Sequence, residues 1–150
     1  DVCSSDLQNY IKDETFCMTY GDGLSDINIS ELIQFHKNNN SEATITAVKP
    51  PGRFGALSIK NDFSVSGFQE KPDGDNGWIN GGFFVLNKNV LNRIKSDHTV
   101  WENEPLMSLA KDKKLFAYIH KGFWQPVDTL REKNFLEADW SRGNAKWKTW

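Results

Sequence analysis

Apolar positions fall in short runs whose period switches between two and about three and a half, with polar turns between them. Phe16-Cys17-Met18 is such a run, and it leads through Thr19-Tyr20 into Gly21-Asp22-Gly23. It reads as a strand that delivers Asp22 to its C-terminal end. Asn28-Ile29-Ser30-Glu31 has the form of a capping box, after which Ile29, Leu32, Ile33 and His36 recur at helical spacing. Asn38-Asn39-Asn40 stops that helix. Ala43 to Val48 is rich in Thr, Ile and Val and reads as a strand closed by Pro50-Pro51-Gly52. Leu57 and Ile59 alternate with polar neighbours, Asn61-Asp62 turns the chain, and Phe63 and Val65 start a return strand, which predicts a hairpin. The return strand reaches Phe68-Gln69-Glu70-Lys71-Pro72, where Pro72 ends the ladder.

Ile79-Asn80-Gly81-Gly82-Phe83-Phe84-Val85-Leu86 carries a continuous apolar run and predicts a strand buried on both faces. Val90, Leu91 and Ile94 predict a short helix. Leu106, Leu109 and Ala110 predict another, with Pro105 tolerated in its first turn. Leu115 to His120 alternates as a strand. Thr129-Leu130-Arg131-Glu132 is a second capping box, opening a helix with Phe135, Leu136 and Trp140. Strands alternating with helices, plus a local hairpin, predict an α/β fold with a mixed sheet.

Composition narrows the classes. The 150 residues suffice for one compact unit with a real core. A net charge of -2 without a Lys/Arg run argues against a nucleic-acid surface. No apolar stretch is long enough to cross a bilayer, and no signal-peptide pattern opens the chain. Cys3 and Cys17 show neither metal-ligand spacing nor an obvious bridge, so a reducing cytoplasm is the expected compartment. Residues 1–8 read as a non-native tail, because Asp1-Val2-Cys3-Ser4-Ser5-Asp6-Leu7 has no apolar period and matches the in-frame translation of a common sequencing adapter. The fold is expected over 9–150.

Four stretches carry polar groups that a core does not require. Asp22, held between glycines, suits a hard cation such as Mg²⁺, which takes one or two carboxylates and leaves its other positions to phosphate and water. Gly-Asp-Gly is equally the pattern of a plain turn. Glu70 and Lys71 leave a strand end on opposite faces: the lysine can neutralise a phosphate and the glutamate can accept from sugar hydroxyls, or both are a solvated end. Asn80-Gly81-Gly82 can bring backbone and an amide against a sugar ring, or it is a tight turn entering a strand. Asp128 precedes a helix and has the look of an N-cap, yet Thr129 and Glu132 complete a capping box without it. His36 lies on an apolar helix face and reads as a packing residue. His98 and His120 lack partners at metal spacing. An EF-hand around Asp22 and Asp26 fails, because Leu24 and Ile33 occupy ligand positions. The six tryptophans, mostly C-terminal, read as packing or interface residues.

Taken in order, Tyr20-Gly21-Asp22-Gly23, Pro50-Pro51-Gly52-Arg53-Phe54-Gly55-Ala56-Leu57, Phe68-Gln69-Glu70-Lys71-Pro72, Asn80-Gly81-Gly82-Phe83-Phe84-Val85 and Phe123-Trp124-Gln125-Pro126-Val127-Asp128-Thr129 resemble the sugar-phosphate nucleotidylyltransferases. The last of these, the Pro-Pro-Gly-Arg-Phe-Gly stretch and the closing Trp-Lys-Thr-Trp resemble the cytidylyltransferase branch. The resemblance runs from about Asn9 to the end. It implies a nucleotide-diphospho-sugar transferase fold, Rossmann-like, and the Mg²⁺-dependent reaction of CTP with α-D-glucose 1-phosphate to give CDP-glucose and diphosphate. It further implies a place in dideoxysugar synthesis for the O-antigen of lipopolysaccharide, and a homo-oligomeric full-length protein. By position, Asp22 and Asp128 would bind Mg²⁺, and Gly21 would lie against the nucleotide and sugar phosphate. Lys71 would contact the sugar phosphate, and Glu70, Asn80, Gly81 and Gly55 would hold the glucose. The family's glycine-rich loop, which grips the triphosphate, is not found before Asp22. The chain is therefore expected to be a C-terminal part with little activity alone. A metal-dependent glycosyltransferase and a non-catalytic sugar-phosphate-binding fragment are the alternatives.

Overall fold

The computed structural model describes residues 7–50, 56–69 and 77–150. In chain order these form α1 (Leu7–Tyr10), β1 (Thr15–Thr19), β2 (Gly23–Ser25), α2 (Ile29–Asn38), β3 (Ala43–Val48), β4 (Ala56–Ile59), β5 (Val65–Gln69) and β6 (Ile79–Asn87). A 3₁₀ turn (Lys88–Arg93), α3 (Glu104–Lys111), β7 (Leu115–Ile119), β8 (Trp124–Pro126) and α4 (Leu130–Ser141) follow.

Strand β6 is the spine. Its apolar run demands cover on both faces, and the period of two divides the task. Phe84 and Leu86 pack with Val90 of the 3₁₀ turn and Leu106 and Leu109 of α3. Val85 packs instead with Ile27 and Leu32 on the α2 side. Burying side chains of this size is worth about 1.5–3 kcal/mol each, so these two clusters, more than helix propensity, seat α2 and α3. The main sheet has the order β1-β6-β3-β7. β6 runs antiparallel to β1 and β3, whereas β3 runs parallel to β7. This is the mixed sheet that the pattern predicts.

Local signals hold closely. In α2, Asn28 Oδ1 accepts from Glu31 N–H at 3.2 Å, and Glu31 answers through the Asn28 side-chain amide at 2.9 Å rather than its backbone. The Thr129–Glu132 capping box is complete. β4 and β5 form the expected hairpin. His36 is a packing residue, as read: it is 2% exposed, its Nδ1 lies 2.9 Å from Thr44 Oγ1, and its Nε2 lies 2.9 Å from Asn87 Oδ1. Trp101 packs edge-on against Phe84, and Trp140 stacks on Trp147. Among the described residues, no helix is long and apolar enough to cross a membrane.

Candidate active site

β1 ends at Thr19, short of Asp22. The carboxylate expected at a strand end instead rides on the Gly21-Asp22 turn that leads into β2. β2 pairs antiparallel with β8, Gly23 opposite Pro126 and Ser25 opposite Trp124. One step beyond that ladder, Val127 N–H donates to Asp22 C=O at 2.8 Å. Asp22 and Asp128 therefore leave neighbouring chains at the same end of a two-stranded ribbon, and both are exposed. Neither residue lies inside the ladder, so strand alternation does not assign their side chains to faces.

The helix-cap role suggested for Asp128 belongs to Thr129. Glu132 N–H donates to Thr129 Oγ1 at 3.3 Å, and Glu132 Oε2 accepts from the backbone N–H groups of both Thr129 and Asp128 at 2.9 Å. A carboxylate pair on one rim is a donor set that fits Mg²⁺, with phosphate and water filling its remaining positions. No cluster of three or more His, Cys, Asp or Glu is gathered among the described residues.

Asn80-Gly81-Gly82 is not a turn leading into a strand. It is an irregularity inside β6: Ile45 pairs with Phe84 but Ala47 pairs with Asn80, so the register slips past Thr46. Gly82 takes φ +77, a conformation that favours glycine. Gly81 is needed for a different reason, since a Cβ there would lie 2.8 Å from Val48 Cγ1 and 3.1 Å from Thr46 O. The bulge sets the Asn80 amide against Tyr20 and Gly82. Asn80 Oδ1 accepts from Gly82 N–H at 2.8 Å and its Nδ2 donates to Tyr20 Oη at 3.1 Å, while Tyr20 N–H donates to Gly82 C=O at 2.8 Å. Tyr20 Oη in turn donates to Glu102. Burial, reinforced by that carboxylate, holds the Tyr20 phenol well above its ordinary pKa, so it stays a neutral donor. The Trp124 indole N–H donates to Gly81 C=O at 2.8 Å, clasping the ribbon to β6.

Gly21 and Asp22 thus follow Tyr20, which is bonded to Asn80 and Gly82, and Asp22 is bonded in turn to Val127, the neighbour of Asp128. Gly55, Glu70 and Lys71 lie outside the described residues. Along the segment entering β8, a cleft of about 670 Å³ opens between Lys49, Trp78, His120, Trp124 and Gln125. Sequence reasoning passed over Tyr20, Trp124 and above all His120, whose partners Ser25 and Asp26 come from the far end of β2.

Residues 5–138 match the family described as Nucleotidyl transferase. The chain belongs to that family. The resemblance read from the five motifs, and the fold that it implied, are borne out. The chain is 56% identical over 145 residues to the glucose-1-phosphate cytidylyltransferase of Salmonella typhimurium, covering 96% of this chain and 56% of that protein. It is 33% identical over 126 residues to the mannose-1-phosphate guanylyltransferase catalytic subunit beta of Drosophila pseudoobscura pseudoobscura, covering 82% of this chain and 33% of that one. Among solved structures, HddC from Yersinia pseudotuberculosis superposes with a TM-score of 0.60 at 22% identity, over 88% of this chain and 58% of HddC. This nucleotidyl transferase chain spans about half the length of the cytidylyltransferase and about a third of the guanylyltransferase.

Proposed function

We propose that this chain carries the sugar-side and cation-binding portion of an enzyme that moves a cytidylyl group from CTP to α-D-glucose 1-phosphate. A phosphate oxygen of glucose 1-phosphate attacks the α-phosphorus of CTP, the bond from that phosphorus to the bridging oxygen breaks, and diphosphate leaves. Such transfers ask a protein for positioning and charge neutralisation rather than a covalent nucleophile. Asp22 and Asp128 hold Mg²⁺, which when bound neutralises charge on the phosphates. Gly21 admits the phosphates close to the backbone. Asn80 and Gly81, with Gly55 and Glu70, hold the glucose, and Lys71 meets the sugar phosphate. The observation that carries this reading is the β2–β8 pairing, with Val127 bonded to Asp22 so that Asp22 and Asp128 leave the same end of the ribbon. Identity to the Salmonella cytidylyltransferase supports the choice of CTP and glucose 1-phosphate.

The test uses the protein at the length of its curated relatives, with Mg²⁺, glucose 1-phosphate and each of CTP, UTP and dTTP. Diphosphate and CDP-glucose should appear with CTP. Much faster turnover of UTP or dTTP would overturn the base assignment. Release of nucleoside diphosphate from a sugar nucleotide would replace the reaction with glycosyl transfer.

A further inference from the structure

A two-stranded ribbon with three residue pairs has little stability of its own. β2 and β8 must be held from outside if the rim that they carry is to keep its shape. The indole of Trp124 supplies one anchor, to β6. The other lies at the opposite end from Asp22, where the chain leaving β2 meets the chain entering β8.

There, His120 Nε2 lies 3.1 Å from Ser25 Oγ and 3.2 Å from Phe123 O, both at hydrogen-bonding geometry. It also lies 3.0 Å from Asp26 Oδ1, an oxygen sealed from solvent that makes no hydrogen bond of its own. Ser25 Oγ spends its proton on Phe123 O at 2.8 Å, so toward the imidazole it is an acceptor. Three oxygens around one ring nitrogen call for a proton on Nε2. The main chain that carries the imidazole is also anchored, because the His120 backbone N–H donates to Ala47 O at 2.9 Å and ties the knot to β3. One further bond draws the strands together, Asp26 N–H to Phe123 O at 3.2 Å, and Ile27 N–H to Ser25 Oγ at 3.3 Å tightens the chain as it leaves β2. Gly122 closes the knot from behind. A Cβ there would strike the Asp26 carboxylate and stand 2.8 Å from His120 Cε1.

We infer that His120 is a positioning residue for the carboxylate rim: its Nε2–H, set among Ser25, Asp26 and Phe123, pins the far end of the β2–β8 ribbon and so fixes how Asp22 and Asp128 present themselves to a cation. The cation part rests on the proposed function; the pinning of the ribbon does not. No proton transfer is involved, since His120 touches neither carboxylate of the rim. Its effect is that of the outer partners of a metal site, whose loss typically costs about 10–100-fold in metal affinity.

The test compares the parent protein with His120→Phe, His120→Gln and Gly122→Ala. Gln keeps an N–H near the position of Nε2, Phe removes it, and Gly122→Ala leaves residue 120 as histidine but presses on the Asp26 carboxylate and on the edge of the imidazole. Two readouts are taken: Mn²⁺ affinity by electron paramagnetic resonance, and hydrogen exchange of the Val127 amide, which bonds Asp22. His120→Phe and Gly122→Ala should weaken Mn²⁺ about tenfold or more and speed exchange at Val127 while the amides shared by β3 and β6 keep their protection. His120→Gln should restore both to within about threefold of the parent. Unchanged Val127 exchange in both disruptive variants, or acceleration spread evenly over the sheet, would overturn the inference. So would a Gln variant as loose as the Phe one. Should His120→Phe fail to fold, Gly122→Ala against His120→Gln decides the same question. Mn²⁺ binding indifferent to Asp22→Asn and Asp128→Asn would refute the cation site, and the Val127 exchange would still decide the role of His120.

Discussion

Replacing Gly82 by alanine tests the β6 irregularity on which the rim depends. The residue sits at φ +77, where a Cβ meets the preceding backbone, and left-handed backbone costs about 1–2 kcal/mol for a residue with a side chain. A second cost is steric. The new methyl would stand 2.9 Å from Tyr20 Cδ2, 3.2 Å from its Cγ and 3.3 Å from its Cβ. The ring has little room to withdraw, because it packs on Phe84 with centroids 5.4 Å apart and its hydroxyl is bonded to Glu102 and Asn80. Overpacking of this kind costs about 1–3 kcal/mol. The two terms together give about 2–5 kcal/mol, or a fall in Tm of roughly 4–20 °C for a chain of this length. Two controls separate them. Gly143 has φ +74 with nothing within 4 Å of its Cβ position, so Gly143→Ala measures the backbone term alone. Gly21 has neither a positive φ nor a near neighbour, so Gly21→Ala should leave stability within about 0.5 kcal/mol of the parent. Urea unfolding followed by tryptophan fluorescence gives all three values. A Gly82→Ala cost no greater than that of Gly143→Ala would show that Tyr20 yields freely, and the reasoning about a fixed bulge would be refuted.

Asp22→Asn and Asp128→Asn should each lower turnover of the full-length protein by at least about a hundredfold, while equilibrium unfolding moves by less than about 0.5 kcal/mol; a matching loss of stability would make them structural instead. His36→Phe should behave in the opposite way. It strips hydrogen bonds from the buried Thr44 and Ser41 hydroxyls, costing about 1–3 kcal/mol and leaving Mn²⁺ affinity unchanged. The β4–β5 hairpin should loosen in acid: the Ser64 hydroxyl, then its backbone N–H, hold the Asp62 carboxyl below its ordinary pKa. That contribution is present above the unfolded carboxylate value of about 3.9 and is lost as the pH falls through the folded one, which Ser64 amide shifts against pH will show and Asp62→Asn should abolish.

What could be read from the sequence was local or strongly periodic. The Asn28 and Thr129 caps involve residues three apart, and the β6 run announces itself by having no polar member between Phe83 and Leu86. The β2 and β8 strands left no such trace. Each has three residues, too few to show a period, and Ser25 and His120 are 95 positions apart. Only the family resemblance joins Asp22 and Asp128 as a pair; nothing in their spacing says that β2 and β8 pair. Asn80-Gly81-Gly82 was legible as a special place but not as a bulge, because the signal for a turn and the signal for a register slip are the same glycines. His120 was unremarkable in sequence for the same reason that it matters in space: every oxygen around it but that of Phe123 belongs to a distant segment.

The position of β6 at the centre of the sheet has a consequence for how the protein comes to be folded. Among the described residues, β1 hydrogen-bonds within the sheet to β6 alone, and β3 takes β6 on one edge and β7 on the other. Thr15 waits for Asn87, and Ala43 for Leu86 and Leu115. Among the described residues, β1 and β3 therefore have no sheet partner until β6 is made, whereas α2 and the β4–β5 hairpin need only local contacts. Closing such long loops before any pairing is gained slows folding, and unpaired strands are exposed to intermolecular pairing meanwhile. The strand that organises the finished sheet is, during synthesis, the late arrival on which the earlier ones depend.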